Sequence, residues 1–589
     1  MATSAVAFPQ TKGGAFLLES RLPEEIYTPE DFTDEHLAIA RTADEFWQKE
    51  ILPNVEKIQH QEDGVAQRVL RRSAELGLTA VIVPERFGGM ELDLTSTMIV
   101  AEKLSRDGSY SAWHGAHAGI GTLPLLFYGT EEQKQRYLPK LATAEMIAAY
   151  CLSEPQAGSD ALAMKTRADL SADGTHYVLN GQKMWITNGG HADLYTVFAK
   201  VGGEKVTAFL VERAWPGVKP GAEEKKMGIK GSSTTPVYLD NVKVPVENVL
   251  GEVGKGHLIA FNILNMGRFK LGPFACGGAK HVLQTSLRYA KERKAFGKSI
   301  AEFGMIQHKL AEMAIRIFAV ESMSYRVVGM IDAALGDFSW DAPDAGQRKL
   351  KAIEEFAMEC SYIKVAGSEM LDYVSDEGVQ IHGGYGYHQD YAVERAYRDS
   401  RINRIFEGTS EINRMLATGM LLKRAQRGQL PLVEAVKKVQ TEVLNPPPLG
   451  RAIDELALVS NAKKVALLCL GVAYQAYLND LDQQQEVLAG ITDIGMAAFA
   501  MESVSLRARK MAALGRGELA AMYKAVFLPE AMEEVSRAGR YVLSACSSGD
   551  ALRTNLAVLK RFTKCEPVNS VQLRRSIADR LLKAERYLA

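Results

Sequence analysis

The chain has 589 residues, of which 47% are hydrophobic and 24% charged, a composition typical of a globular protein with about four compact units of roughly 150 residues. Lys plus Arg number 70 and Asp plus Glu 71, so the formal net charge is -1. This balance leaves no basic surplus to neutralise a phosphate backbone, and nucleic acid is not expected as a partner.

The six cysteines are scattered and form neither a CxxC pair nor a metal-type cluster with histidine. We therefore expect no metal site and reduced, packed thiols. The first residues lack the basic and apolar regions of a secretory signal and the arginines of a transit peptide. The longest apolar run, Val465 to Tyr474, is too short to span a bilayer. We expect a cytoplasmic protein, or a mitochondrial matrix protein if the chain is a processed eukaryotic one.

The sequence pattern predicts five consecutive segments. Residues 1–35 carry prolines and charges without periodicity and are expected to form an extended arm. Residues 36–149 place apolar residues every three or four positions, which predicts an α-helical domain. Residues 150–257 contain short β-type runs separated by Asp-Gly, Asn-Gly and Gly-Gly turn signals. Helical periodicity returns in residues 258–427 and again in 428–589, so the predicted fold is mostly α with a central β-domain.

Glu407, in the segment RIFEGTSEI, follows two large apolar residues and precedes a glycine. An apolar setting raises the pKa of a carboxyl group, which suits a general base working near neutrality. Gly408 permits a close approach of the backbone to a ligand, and Thr409 or Ser410 can cap the following helix. On this pattern alone, a loop glutamate before a capped helix is the simpler interpretation.

Four further segments contain residue types that suit a cofactor. Residues 149–160 (AYCLSEPQAGSD) offer small and hydroxyl-bearing groups that can hydrogen-bond the edge of a planar ring. Residues 184–190 (MWITNGG) place a flat tryptophan near a threonine. Residues 293–297 (RKAFG) and 380–387 (QIHGGYGY, interpreted as a loop after a helix) combine arginine with a glycine-rich backbone, which suits a pyrophosphate. An ordinary connection, a core tryptophan and a helix C-cap are the plain alternatives.

These five segments, in this order and spacing, resemble the acyl-CoA dehydrogenase family from about residue 36 to 425. The resemblance implies the family's fold, with a helical domain, a β-barrel-like domain and a four-helix bundle, and it implies an FAD cofactor. Residues 428–589 resemble the additional C-terminal helical domain of the very-long-chain branch. Glu407 matches the catalytic base, whereas Gly267 stands where the isovaleryl-type branch carries its base.

The resemblance also implies contacts residue by residue. For FAD the matched positions are Tyr150, Cys151, Leu152, Ser153, Gly158, Ser159, Trp185, Ile186, Thr187, Arg293, Phe296, Gln380, Ile381, His382, Gly383, Gly384, Thr409, Ser410 and Glu411. For the substrate they are Ser159, Asn265, Met266, Gly267, Arg268, Phe406 and Gly408. Arg293, Phe296 and residues 380–384 are expected to serve the FAD of a neighbouring subunit, which implies a homodimer.

The activity implied is α,β-dehydrogenation of fatty acyl-CoA to trans-2-enoyl-CoA in fatty acid β-oxidation, with electrons passing to an electron-transfer flavoprotein. Ala112, Gly115, Ala116 and Gly119 fall at i, i+3, i+4 and i+7, which puts small side chains on one helix face. Small residues there would leave a deep tunnel for a long acyl chain, and close helix packing is the alternative. An acyl-CoA oxidase that uses oxygen, and an assembly factor with vestigial or secondary dehydrogenase activity, are the alternative functions.

Residues 461–474 (NAKKVALLCLGVAY) begin with basic residues and are then apolar nearly all round. A helix that is apolar all round is more often buried than interfacial. We therefore expect core packing here, and peripheral contact with a membrane is the less favoured alternative. The proline run at 445–450 is expected to break the helix before it.

Overall fold

The computed structural model describes residues 8–444 and 454–589, so the expected break at 445–450 lies outside the described residues. The helices are α1 (Asp34–Phe46), α2 (Val55–Gln59), α3 (Val65–Glu75), α4 (Leu94–Leu104), α5 (Gly108–Gly115), α6 (Leu123–Tyr128), α7 (Glu131–Ala142), α8 (Gly256–Glu292), α9 (Gly304–Leu335), α10 (Ala345–Glu355), α11 (Ala357–His382), α12 (Ala392–Ser400), α13 (Ser410–Gln426), α14 (Leu432–Leu444), α15 (Glu455–Tyr477), α16 (Gln485–Ala513), α17 (Glu518–Cys546), α18 (Gly549–Phe562) and α19 (Ser570–Ala584). The strands are β1 (Ala148–Cys151), β2 (Arg167–Leu170), β3 (His176–Thr187), β4 (Leu194–Val201), β5 (Lys205–Glu212), β6 (Val218–Pro220), β7 (Thr234–Pro245), β8 (Val249–Leu250), β9 (Lys294–Ala295) and β10 (Lys298–Ser299).

The N-terminal arm is packed against the rest of the chain, which corrects the expectation of an extended arm. It forms three short 3-10 turns, Ala15–Leu17, Pro23–Glu25 and Pro29–Asp31. The first of these turns is buried. Just before it, the N–H of Gly14 donates to the carboxylate of Glu359 at 2.7 Å. The partner lies more than three hundred residues away in sequence, so local periodicity could not reveal this anchor.

The β-domain is one eight-stranded sheet in the order β6-β7-β3-β2-β4-β5-β8, with β1 pairing in parallel with β4. The short β-type runs expected in residues 150–257 include β3, β4, β5 and β7. Between β4 and β5, Gly202 and Gly203 both have positive φ, as a tight hairpin turn requires. The register of β3 against β7 shifts between Lys183 and Ile186. Such a bulge redirects the side chains that it contains, and here it contains Trp185.

The helices α8, α9, α11 and α13 pack side by side and form the four-helix bundle. Their buried residues are predominantly apolar, and the core runs along their length. A Cβ added to Gly272 of α8 would fall 2.4 Å from Oγ of Ser324 on α9. Glycine at this position therefore permits the close approach of the two helices.

Buried ion pairs join the C-terminal domain to the bundle and to the arm. Arg507 of α16 pairs with Glu321 of α9 and with Glu30 of the arm, and its side chain is 1% exposed. The hydroxyl of Tyr587, close to the end of the chain, donates to the same Glu321 carboxylate at 3.0 Å. Because a buried charge is costly unless it is paired and hydrogen-bonded, these pairs tie three distant parts of the chain together.

Two helical stretches of the C-terminal domain, Glu455–Gln483 and Gln485–Ala513, are long and apolar enough to cross a membrane by length and composition alone. Polar residues interrupt both stretches, so the length of the longest apolar run does not reveal this property. In the structure, 67% and 78% of their most apolar windows are buried. The first stretch contains α15, which packs against α14, α16, α17 and α18. The segment 461–474 is therefore packed inside the domain.

Deleting residues 450–589 is expected to cause aggregation, because α16 and α19 cover apolar surface on the bundle. Size-exclusion chromatography with light scattering of the truncated chain measures this, with the full chain as control. Co-sedimentation of the full chain with anionic liposomes at low and high salt tests the membrane alternative. A soluble, active truncation together with clear liposome binding by the full chain would contradict the packing account.

Candidate active site

Glu407 lies on a short loop between the 3-10 turn Arg401–Arg404 and α13. Its backbone is left-handed, with φ of +57°, and Gly408 follows with φ of +81°. Thr409 is the N-cap of α13, and its Oγ1 accepts a hydrogen bond from the N–H of Ile412. A left-handed backbone is strained for a residue other than glycine, and such strain often occurs at functional sites.

Buried side chains hold this loop in place. Arg268 of α8 donates from Nε to the carbonyl oxygen of Glu407 at 3.0 Å and from Nη1 to Oδ1 of Asn265 at 2.9 Å. Asn413 donates from Nδ2 to the carbonyl oxygen of Gly408 at 2.8 Å. Arg268 and Asn265 thus face the loop and do not line the cavity described below. Their expected contact with the substrate stays a prediction.

The carboxylate of Glu407 faces Gly267 of α8. A Cβ added to Gly267 would fall 2.2 Å from Oε2 of Glu407, so glycine makes room for the carboxylate. Burial raises the pKa of Glu407 to about 7. Three cations, Arg268, Lys364 and Lys270, oppose this rise without cancelling it. Among the described residues Oε2 has no hydrogen-bond partner, and it can therefore accept a proton from a ligand.

Two of these cations, Lys270 and Lys364, are not among the site residues expected from the sequence. Burial lowers the pKa of each ammonium group to about 8, and Glu407 acts in the opposite direction. Lys270 lines the cavity, with Nζ 3.5 Å from the position that a Cβ on Gly119 would take. Lys364 of α11 is buried, and its Nζ has no hydrogen-bond partner in the described part of the chain. The sequence signal that could have identified Lys270 and Lys364 is the same in each case, namely a lysine placed among the apolar residues of a helix.

A cavity of about 220 Å³ extends from Glu407 along one face of α8. That face is formed by Gly267, Lys270, Leu271, Phe274, Gly278, His281, Val282 and Thr285. The spacing is that of a single helical stripe, and it covers roughly 27 Å at ~1.5 Å per residue. Met266 and Phe406 also line the cavity.

The small residues Ala112, Gly115, Ala116 and Gly119 line the same cavity, although not on one regular helix. The helix α5 ends at Gly115, and the chain continues as a π-helix, Ala116–Gly121, in which Gly119 has φ of −105° and ψ of −107°. The i+7 relation expected for Gly119 is therefore lost. Short π-helical insertions of this kind are frequent at functional sites.

Thr187, at the end of β3, lines the cavity and connects it to the β-domain. Two residues earlier, Trp185 has φ of +58°, and its side chain is 58% exposed. Ile186 between them is buried, as are the side chains of residues 150–152 in β1.

The loop after β1 carries Ser153 at a partly exposed position, and Gly158 and Ser159 at exposed ones. Nothing lies within 4 Å of a Cβ added to Gly158. An exposed indole, a threonine hydroxyl in the cavity and an open glycine loop fit a large planar cofactor with a phosphate-bearing tail. The residues present thus fit the expected FAD.

Arg293, Phe296 and residues 380–384 lie outside the cavity lining. The guanidinium of Arg293 stacks over the ring of Tyr385 at 5.5 Å, so two segments distant in sequence meet here. Phe296, between β9 and β10, has φ of +51° and is 96% exposed. A single chain does not bring this group to Glu407.

Three further side chains expected at the cofactor are turned inward. Ile381 and His382 belong to the end of α11, which corrects their interpretation as part of a loop, and both are buried. The ring of His382 stacks on Tyr289 at 4.0 Å. Ser410 is buried in the first turn of α13. The remaining expected positions in these segments are at least partly exposed, namely Gln380, Gly383, Gly384, Thr409 and Glu411.

Comparison with known families gives four matches that together cover most of the chain. Residues 33–145 match the N-terminal domain of acyl-CoA dehydrogenases, residues 149–242 their middle domain and residues 254–421 their C-terminal domain. Residues 461–561 match a further acyl-CoA dehydrogenase C-terminal domain.

Individual proteins that are similar to this chain in sequence or structure include several acyl-CoA dehydrogenases. A "Probable acyl-CoA dehydrogenase" of Bacillus subtilis (strain 168) is 48% identical over 583 residues, which is 98% of each chain. The mitochondrial very long-chain specific acyl-CoA dehydrogenase of Rattus norvegicus is 43% identical over 60% of this chain and 52% of its own length. The solved structure of an acyl-CoA dehydrogenase complexed with FAD from Bacillus anthracis has a TM-score of 0.97 at 46% identity, covering 98% of this chain and 100% of that one. Butyryl-CoA dehydrogenase from Megasphaera elsdenii has a TM-score of 0.60 at 34% identity over 66% of this chain and 99% of its own.

Replacing Lys270 by Met is expected to move the acid limb of the pH–activity profile to higher pH. Lys270 lowers the pKa of Glu407, so its loss raises that pKa, and a base with a higher pKa is ionised only at higher pH. Initial rates of substrate-driven flavin reduction, from about pH 5.5 to about pH 9, measure the shift. The Lys270→Arg variant keeps the charge and should keep the parent profile. An acid limb that stays in place or moves down in the Met variant would contradict this electrostatic role.

Proposed function

The chain belongs to the acyl-CoA dehydrogenase family, and we propose that it dehydrogenates long-chain fatty acyl-CoA thioesters with Glu407 as the base for the α-proton. The proposal rests on one observation above all. A buried carboxylate, with a pKa raised to about 7, faces a long cavity with mainly apolar walls. The family is FAD-dependent, and the surroundings of Trp185, Thr187 and Gly158 fit that cofactor.

Glu407 is suited to take up a proton at its carboxylate. A group with a pKa near 7 is about half ionised at neutral pH, so a large fraction is present as the basic carboxylate, and that carboxylate binds a proton well. Arg268 fixes the backbone of residue 407, so the loop sets the direction of the carboxylate. The N–H of Glu407 donates to no acceptor among the described residues, and it can donate to a thioester carbonyl. Such a bond stabilises the negative charge that develops as the proton leaves. FAD, when bound, supplies the two-electron acceptor.

The length of the cavity supports a long acyl chain. Its stripe on α8 covers roughly 27 Å, whereas an acyl chain in one leaflet of a bilayer spans about 15 Å, half of the ~30 Å hydrocarbon core. Leu271, Phe274 and Val282 make much of this wall apolar. A short acyl chain would leave most of that apolar surface uncovered, which loses hydrophobic free energy.

We further propose a homodimer, an electron-transfer flavoprotein as electron acceptor, a role in fatty acid β-oxidation and a cytoplasmic location. The exposed Phe296 and the neighbouring Arg293 support the dimer, because together they form a surface that this chain does not use for its own cavity. The electron acceptor and the pathway rest on the family resemblance.

The Glu407→Gln variant is expected to bind FAD and hexadecanoyl-CoA but to reduce the flavin at least about 100-fold more slowly, since a general base contributes roughly 10²–10⁴-fold. Anaerobic stopped-flow bleaching of the flavin measures this rate. The exposed Glu434 of α14 offers a matched control, and Glu434→Gln should bleach like the parent. Bleaching of the Glu407→Gln variant within about tenfold of the parent rate would exclude Glu407 as the base.

The Ala116→Glu variant is expected to lose activity on long acyl chains while it keeps activity on short ones. A bulky polar side chain in this wall blocks the cavity and buries an unpaired group. The ratio of kcat/KM for hexadecanoyl-CoA to that for butyryl-CoA should fall by about tenfold or more, which corresponds to ~1.4 kcal/mol of lost binding. Ala116→Gly keeps the space open and should retain the parent ratio. An unchanged ratio in the Glu variant would mean that this wall only packs helices.

A further inference from the structure

The β-domain contains a buried ion pair that neither the family match nor the proposed chemistry uses. Nζ of Lys183 lies 2.7 Å from Oε1 of Glu154, with the two side chains 0% and 2% exposed. Both charged groups are therefore almost entirely removed from solvent. Replacing such a pair by apolar groups of similar volume is often neutral or stabilising, so stability alone is a poor reason for having it.

The Glu154 carboxylate also receives hydrogen bonds from both ends of the loop that carries Gly158 and Ser159. At the near end, Nε2 of Gln156 donates at 2.8 Å. At the far end, the N–H of Lys165 donates at 2.6 Å, and Thr166 donates its N–H at 3.1 Å and its hydroxyl at 2.5 Å. The side chain of Glu154 therefore holds the two ends of this largely exposed loop together.

Lys183 forms the second half of the arrangement. Its Nζ donates to the carbonyl oxygen of Leu152 at 3.2 Å. The next residue, Met184, donates its N–H to the carbonyl oxygen of Ser153 at 2.9 Å. Lys183 stands directly before the bulge that turns Trp185 outward. It thus connects the strand segment 150–153 to the tryptophan.

Three segments expected to contact FAD therefore meet at one buried pair: residues 150–153, the loop with Gly158 and Ser159, and residues 185–187. We propose that Lys183 and Glu154 are positioning residues that hold these three segments in the geometry needed to bind FAD. This inference rests on the proposed function, because it takes these segments as the cofactor site. A polar network with all its members satisfied fixes a unique arrangement, and that is the property a preformed cofactor site requires.

The test uses the double variant Glu154→Gln/Lys183→Met, which removes both charges, keeps the volume and leaves no buried ion unpaired. Lys464→Met/Glu442→Gln is the control for the residue types and the 2.7 Å separation; that pair is partly exposed and lies between α14 and α15, away from the β-domain. Three quantities are measured on the purified holoproteins: FAD release on dilution by flavin fluorescence, amide hydrogen exchange, and Tm with saturating FAD. Anaerobic reduction of the parent by hexadecanoyl-CoA reports separately on the proposed function.

We expect the double variant to bind FAD about tenfold more weakly, as is typical when the support behind a ligand-binding group is lost. Amide exchange should accelerate in residues 155–166 while α15 exchanges as in the parent, and Tm should stay close to that of the parent. The control should match the parent in all three quantities. FAD affinity within about twofold of the parent, or a fall in affinity accompanied by faster exchange throughout the protein, would show that the pair is merely structural and overturn the proposal.

Discussion

The carboxylate of Glu407 lies inside a largely apolar cavity and has no direct ion pair among the described residues. The rest of the structure depends on this one constraint. Removing an isolated charge from water is costly, so the pKa of Glu407 rises toward neutrality. Arg268, Lys270 and Lys364 limit that rise from two helices that pack against each other, α8 and α11. Among the described residues none of them forms a salt bridge with the carboxylate, and Glu407 therefore remains able to exchange a proton with a ligand.

The helix α8 serves both the base and the cavity. Gly267 gives the carboxylate its space, Arg268 holds its backbone, and the stripe that continues to Thr285 forms one wall for the acyl chain. Reactivity and chain-length selection thus depend on the position of a single helix. The buried ion pair of Arg507 with Glu321 ties the neighbouring α9 to the C-terminal domain, so this domain helps to fix the bundle in which α8 lies.

Much of the fold could be predicted from the sequence because long helices and strands have strong periodic patterns. The apolar residues beside Glu407 predicted the direction of its pKa shift, but the shift itself comes from burial of the carboxylate against Gly267 of α8. Contacts between distant segments were not predictable: the anchor between Gly14 and Glu359, the packing of His382 on Tyr289, and the hold of Arg268 on the Glu407 loop. Each depends on which elements meet in three dimensions, and local propensity carries no such information.

A crystal structure of the Glu407→Gln variant with FAD and hexadecanoyl-CoA tests the central claim most directly. The account predicts that the α-carbon of the thioester lies next to the residue 407 side chain, on the side of Gly267. It also predicts that the acyl chain follows α8 past Leu271 and Phe274. An acyl chain on another path, or a residue 407 side chain directed away from the α-carbon, would contradict the account.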